Sequence, residues 1–419
     1  MPSTLIHTLT LIYSPVKIIV CLHLPVRQRP NDTSQGLEIA GPSCFGYNEL
    51  AMLAERIKKH KLAIAVGVIV AAMLLVVIAD SARRRRTEAF LRRYEITDLT
   101  ALGVKHASKL NDLGQVAGCV GRHLYIWDKA NGLKTVRIPL GIRCYISGMN
   151  NNGQVAGQFE DANSNRHAFF WDTEHDMVVL GTLGGNNSSP IALNDNGQVI
   201  GTSETTGGSF HPFLWHRTTG MIDLSTSINS PIPLIAAYDL NNAGKMVCVM
   251  RRGFGCIWDK QDGLVPLAAP KGGITLAYNI NDAGAVVGVI GEPNKKKSNL
   301  VLWTDPNHWR EIRTITGKGK YCVPTALNNR GQIIGQERVK GILSDRLRSF
   351  FWSQETGLIV FGDRLNLALP WKSGPSLTMS QDLQFIAINN QGQILCIGDA
   401  ADGQRHFLLM NPVTDAKKQ

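Results

Sequence analysis

The chain has no Cys-x-x-Cys pair, no Gly-x-Ser-x-Gly, no P-loop, no dinucleotide fingerprint and no His-Glu-x-x-His. Those absences remove the sequence signatures of thiolate zinc sites, serine hydrolases, nucleotide-binding folds and zincin proteases. Its eight cysteines are scattered, so neither a zinc site nor a disulfide framework is signalled. Cys248 and Cys256 flank a short hairpin and could face each other; the plainer reading is buried small apolar side chains. Charge is sparse, at 18% of residues, against 44% apolar residues and 41 glycines, a globular composition that anticipates many turns.

The net charge of +11 is unevenly placed. Residues 1–93 hold 13 Lys and Arg against 6 Asp and Glu, whereas residues 94–419 hold 31 against 27. The excess therefore flanks one apolar segment, which suits lipid head groups and argues against nucleic acid. That segment is Leu62–Ala79, eighteen residues without a charge. As a helix it would span about 27 Å, close to a hydrocarbon core. Residues 1–51 show no periodicity and are read as a leader without a fold, with Met52 as an alternative start. Residues 52–94 supply the basic flank, the apolar helix at 62–79 and a helical juxtamembrane linker from Arg83 to Tyr94. Val77 and Ala79 also fit a signal-peptidase pattern, so a cleaved signal competes with a retained anchor. Arg56, Lys58, Lys59 and Lys61 stand before the segment and Arg83–Arg86, Arg92 and Arg93 after it, so charge alone leaves orientation undecided or leaning toward a cytoplasmic C-terminal domain.

From Glu95 a repeat takes over. Leu193–Gly201 reads L-N-D-N-G-Q-V-I-G, and copies stand at Leu110–Gly118, Met149–Gly157, Ile280–Gly288 and Leu327–Gly335. Leu240–Cys248 and Ile388–Cys396 are copies whose last glycine has become cysteine. Asn and Asp bond their own backbone and Gly accepts a positive φ, so each copy is a hairpin tip. A second signature, an aromatic-rich run ending in Trp, follows in six units, and Phe407–Met410 replaces it in the seventh. Four short apolar runs per unit make an antiparallel meander. Runs apolar on successive residues need burial on both faces, which a sheet packed between two others provides. The seventh unit lacks a fourth strand, while Glu95–Gly103 resembles the fourth-strand segment Met177–Gly184. The expectation is an all-β, seven-bladed β-propeller of four-stranded blades over 95–412, closed by an N-terminal strand and followed by a polar tail at 413–419.

The two signatures resemble the HAF-repeat family of extracellular repeat proteins, named for its His-Ala-Phe tripeptide. That tripeptide stands at His167-Ala168-Phe169, with His211–Trp215 and His406–Pro412 as near copies and Leu180–Gly185 matching the family's loop segment. Phe254, Asn299 and Arg348 replace the histidine in other units. The resemblance implies a propeller-like, exported or surface-attached protein, which sets the propeller outside the cytoplasm, and it brings no catalytic residue.

His123, His167, His211 and His406 share one repeat position but fall on different blades, too far apart for one metal ion. Each is expected at a strand start, bonding a neighbouring backbone carbonyl. The N-D-N-G turns lack the alternating ligands and closing glutamate of a calcium loop. Asp128, Asp172 and Asp259 follow tryptophan and are expected to cap the turn into the fourth strand. Lys295–Lys297 is read as a solvated hairpin tip. No catalytic, cofactor-binding or metal residue is assigned. The reading is a membrane-anchored or exported binding or scaffolding module, attached through Leu62–Ala79, with a protein or glycan ligand and no nucleic acid. The alternative is a glycan-active hydrolase or lyase at the tunnel mouth, which two convergent acids would favour.

Overall fold

In each unit the turn asparagine and a glycine of positive φ fold the chain back on itself; at Gly197 φ is 72° and its N–H donates to the Asn194 carbonyl at 3.1 Å. The result in the computed structural model is seven four-stranded antiparallel sheets. The structure describes residues 47–138, 141–228, 234–251, 253–270, 273–292, 297–316, 321–339, 346–361, 383–399 and 404–413. Residues 1–46, Lys295 and Lys296, and residues 414–419 lie outside them.

Two compact units divide the chain, Met1–Ala72 and Met73–Gln419. A helix, Tyr47–Leu91, begins in the first. Among the described residues no helix is long and apolar enough to cross a membrane.

Six sheets are sequential meanders. Blade 3, for example, runs Gly184–Leu193, Val199–Thr205, Phe210–His216 and Gly220–Asp223. Blade 7 is composite: Gln384–Ile388, Ile394–Asp399 and Arg405–Pro412 take their outer strand from Tyr94–Asp98. The register sets Ile96 opposite Met410 and Asp98 opposite Leu408. The latch is shorter than Glu95–Gly103, because Asp98 ends the strand by accepting the N–H groups of Thr100 and Ala101.

The core is divided among the seven blade junctions. Phe169 packs with Ala117, Leu124 and Ile126 of blade 1, while its neighbour Phe170 packs with Val199, Phe213 and Trp215 of blade 3. Successive residues on one strand thus serve opposite junctions, which is why these runs are apolar without alternation. Each fully buried aromatic stabilises the stack by roughly 2–3 kcal/mol.

The Arg83–Tyr94 segment is helical to Leu91, and its end is docked rather than free. Phe90 and Leu91 are buried, and the Phe90 ring lies 4.7 Å from Phe351 and 5.4 Å from Phe361. Arg86 Nη2 donates to the Thr356 carbonyl at 3.2 Å, and the Val413 N–H donates to the Arg93 carbonyl at 2.7 Å. The helix therefore ends on the rim of blades 6 and 7.

The cysteines need one correction. Cys119 of blade 1 and Cys144 of blade 2 form a disulfide, with Cα atoms 5.8 Å apart. No sequence spacing signalled it, since the partners meet only because adjacent blades stack. Cys248 and Cys256 do face each other in register and are free thiols.

Candidate functional site

In an antiparallel meander, the first-to-second and third-to-fourth turns share one end. The second-to-third turns and blade-to-blade connections share the other. All seven asparagine turns therefore surround one end of the axis. There, Asn150 is buried and makes four side-chain hydrogen bonds. Its Oδ1 accepts from the N–H groups of Asn152 and Gln154, and its Nδ2 donates to Gln154 Oε1 and to the Asn194 carbonyl of the next blade. Only a carboxamide can both accept and donate in this way. The inter-blade bond recurs from Asn111, Asn150, Asn194, Asn241, Asn281 and Asn328, and Asn389 returns it to the Asn111 carbonyl, all at 2.8–3.1 Å. The annulus is closed by this circuit.

A second circuit lies one residue on, through Asp112, Asn151, Asp195, Asn242, Asp282, Asn329 and Asn390. Each backbone N–H donates to the side chain of the next blade, ending with Asn390 N–H to Asp112 Oδ1 at 2.7 Å. The carboxylates are locked by carboxamides: Asn151 Nδ2 bridges Asp112 and Asp195 at 3.0 and 2.9 Å, and Asn242 Nδ2 bridges Asp195 and Asp282 at 2.9 and 3.1 Å. The mouth thus holds three carboxylates, each with amide donors, and none adjoins another on the ring.

Deeper in the tunnel, the position two residues before the buried asparagine is Gly148, Ala192, Ala326 or Ala387 in four blades. In blades 1, 4 and 5 it is Lys109, Asp239 and Asn279. Asp239 accepts the N–H groups of Leu240 and Ile280 at 2.9 and 3.0 Å. Burial raises its pKa to about 6, against the lowering pull of those N–H groups and of Lys109. Lys109 is itself lowered by burial, with Asp239 opposing. Blades 1 and 4 are three steps apart, so the two charges feel each other across the axis. The Asn279 Oδ1 is buried without a hydrogen-bond partner. Sequence reading missed these three residues; aligning the repeats at this small-residue position would have found them.

Three of the four shared histidines bond carboxylates rather than backbone carbonyls. Nδ1 of His211 lies 2.8 Å from Oδ2 of Asp223, and Nε2 of His167 lies 3.0 Å from Oδ2 of Asp161. His406 makes the same contact with Asp98 of the latch, and His123 is exposed. Each histidine serves its own blade, and the structure does not bring the four together. Asp128, Asp172 and Asp259 cap their turns, accepting from the N–H groups two and three residues on. Burial pushes the Cys322 and Cys396 thiols up to about 12, which keeps them protonated and inert. Among the described residues no cluster of three metal-ligating side chains occurs.

No family description and no curated protein matches the chain. Among solved structures it is similar to the β-propeller domain of Cps50 (Swd1) from Myceliophteria thermophila, at 11% identity and TM-score 0.43, covering 74% of this chain and 96% of that one. YCF48 bound to D1 peptide gives 13% identity and TM-score 0.43 over 77% of this chain and 97% of that one. The BP39L lectin from Burkholderia pseudomallei gives 10% and 0.40 over 77% and 98%.

Proposed function

We propose that this chain is a membrane-tethered β-propeller that acts outside the cytoplasm as a binding or scaffolding module. The carrying observation is the locked mouth. Glycoside cleavage needs an acid and a base free to exchange protons, about 5–9 Å apart. Here the axial carboxylates Asp112, Asp195 and Asp282 each hold amide donors, and Asp239 is occupied by two backbone N–H groups. A rigid, hydrogen-bonded annulus suits recognition, and among the described residues of this mouth each carboxylate already accepts amide donors.

The tether rests on Leu62–Ala79. On the described part of the helix, Val68 is 63% exposed, Leu75 67% and Ile78 55%, an apolar surface that lipid would cover. The extracytoplasmic side is supported by the Cys119–Cys144 disulfide, which belongs in an oxidising compartment. Protease shaving of intact cells expressing the chain tagged at Gln419 tests the side. Loss of the tag is expected; full protection with lysis-dependent loss would overturn it. Incubation with a panel of polysaccharides tests the absence of catalysis, and release of reducing ends would overturn the binding-module reading.

A further inference from the structure

The two ends of the propeller carry different chemistry. The asparagine end mixes exposed acids, such as Glu174, Asp176, Asp262, Asp282 and Glu355, with exposed Lys129, Arg217, Lys260 and Arg330. The opposite end gathers most of the exposed apolar surface: Ile142, Tyr145, Phe210, Ile235, Phe254 and Leu276 are 37–57% exposed, and Tyr321 and Leu347 are 40% and 43%. Lys105, Arg137, Arg143, Arg166, Arg251 and Arg405 are exposed at the same end. Its described acids Glu160, Asp161, Asp223, Glu204, Glu337 and Asp399 are half-buried or buried. Asp161 is held by His167 and Asn165, and Glu204 by Asn186 and Asn187.

Inside that opening, Tyr238 and Tyr278 stand with ring centroids 6.3 Å apart. Beyond them is Lys109, a half-buried cation whose pKa burial lowers while Asp239 opposes that shift. A carboxylate entering the tunnel would give that partly desolvated cation a contacting anion.

We propose that this end of the propeller docks an acidic peptide segment bearing apolar side chains, and that one of its carboxylates enters the tunnel toward Lys109. The inference rests on the binding-module reading and assigns its partner. Charge complementarity selects an acidic ligand, since among the described residues the exposed ionic groups here are cations. The aliphatic half of the patch, Ile142, Ile235, Leu276 and Leu347, favours a peptide over a glycan, because branched aliphatic surface gives sugars little; the aromatic half, Tyr145, Phe210, Phe254 and Tyr321, packs on apolar peptide side chains as well. The free carboxamide oxygen of Asn279 would accept an N–H from the inserted segment.

Titration calorimetry of the full chain in nanodiscs tests this, with a dodecapeptide of alternating Asp and Leu and a matched Lys–Leu peptide as probes. The Asp–Leu peptide is expected to bind, with affinity falling as salt rises, and the Lys–Leu peptide is not. Arg143→Glu with Arg166→Glu should weaken binding at least tenfold. Lys109→Met should weaken it about fivefold with the melting temperature held, and Glu174→Lys on the other end should leave it unchanged. Equal binding of both peptides, or indifference to Lys109→Met and the arginine variants, would overturn the proposal. A glycan array run on the same sample separates the two readings. Glycan binding with no peptide binding sinks the acidic-peptide inference and spares the binding module, whereas turnover of a glycan sinks both.

Discussion

Asp98 and His406 lie 308 residues apart in sequence, and their Oδ2 and Nδ1 atoms are 2.8 Å apart across the closure strand. Asp223 and His211 make the same contact at 2.8 Å within continuous blade 3. In both, the second carboxylate oxygen caps the following turn, at Thr100 and Ala101 or at Ser225. The latch therefore reproduces the carboxylate contacts of a continuous fourth strand, and supplies the outer strand of the blade formed by Gln384–Ile388, Ile394–Asp399 and Arg405–Pro412.

Asp98→Ala should loosen that closure. It removes a carboxylate that bonds His406 and two backbone N–H groups, a change worth roughly 2–3 kcal/mol. Amide exchange should accelerate at Ile96 and Leu408 ahead of the other blades. Uniform acceleration around the ring would show that the latch is not a separate weak point.

Asn194→Asp tests the axial circuit. A carboxylate cannot donate to the Asn241 carbonyl or to Gln198 Oε1, now served at 3.0 and 2.7 Å. The expected loss is roughly 2–4 kcal/mol, from two unmade bonds and a buried charge facing an acceptor. Urea unfolding measures it, and a loss under 0.5 kcal/mol would contradict the circuit's role.

Gly201 faces Phe213, and a Cβ at Gly201 would sit 2.7 Å from that ring and 2.2 Å from the Ser189 carbonyl. Gly201→Ala should destabilise by about 2 kcal/mol through overpacking. Where the glycine is cysteine, the facing side chain is smaller: Cys248 opposes Cys256, and Cys396 opposes Leu408. Cys256→Phe should therefore be poorly tolerated unless paired with Cys248→Gly, and a double-mutant cycle in thermal unfolding would reveal that coupling.

Asp239 titrates in the wrong direction for an ordinary structural carboxylate. Its folded pKa is raised to about 6 from 3.8, so the folded state favours the protonated form. That contribution is fully present below about pH 4 and is lost as the pH rises through about 6. Asp239→Asn should remove this component, giving a flatter stability profile across pH 4–6 in chemical denaturation. An unchanged profile would place the titration elsewhere.

Reducing the Cys119–Cys144 bridge should lower stability by about 3 kcal/mol, since it closes a loop of 25 residues between two blades. Cys119→Ser should then make the protein insensitive to reductant. If the wild-type melting temperature ignores reductant, the bridge is not formed in the purified protein.

Repetition is why so much of the architecture was legible. The turn asparagines, the glycines of positive φ and the unalternating Phe–Trp runs are local demands that every blade repeats, so the chain alone determined seven meanders and a displaced closing strand. What it could not state is which side chains of different blades would meet. Lys109 and Asp239 are 130 positions apart and share a tunnel only because three blade rotations set them across an axis. Cys119 and Cys144 pair, and Phe90 lodges against Phe351, by the same logic of stacking and rim contact. Short-range hydrogen-bonding and sterics write the blade into the sequence. The angular placement of blades, a property of the whole ring, decides the contacts between them.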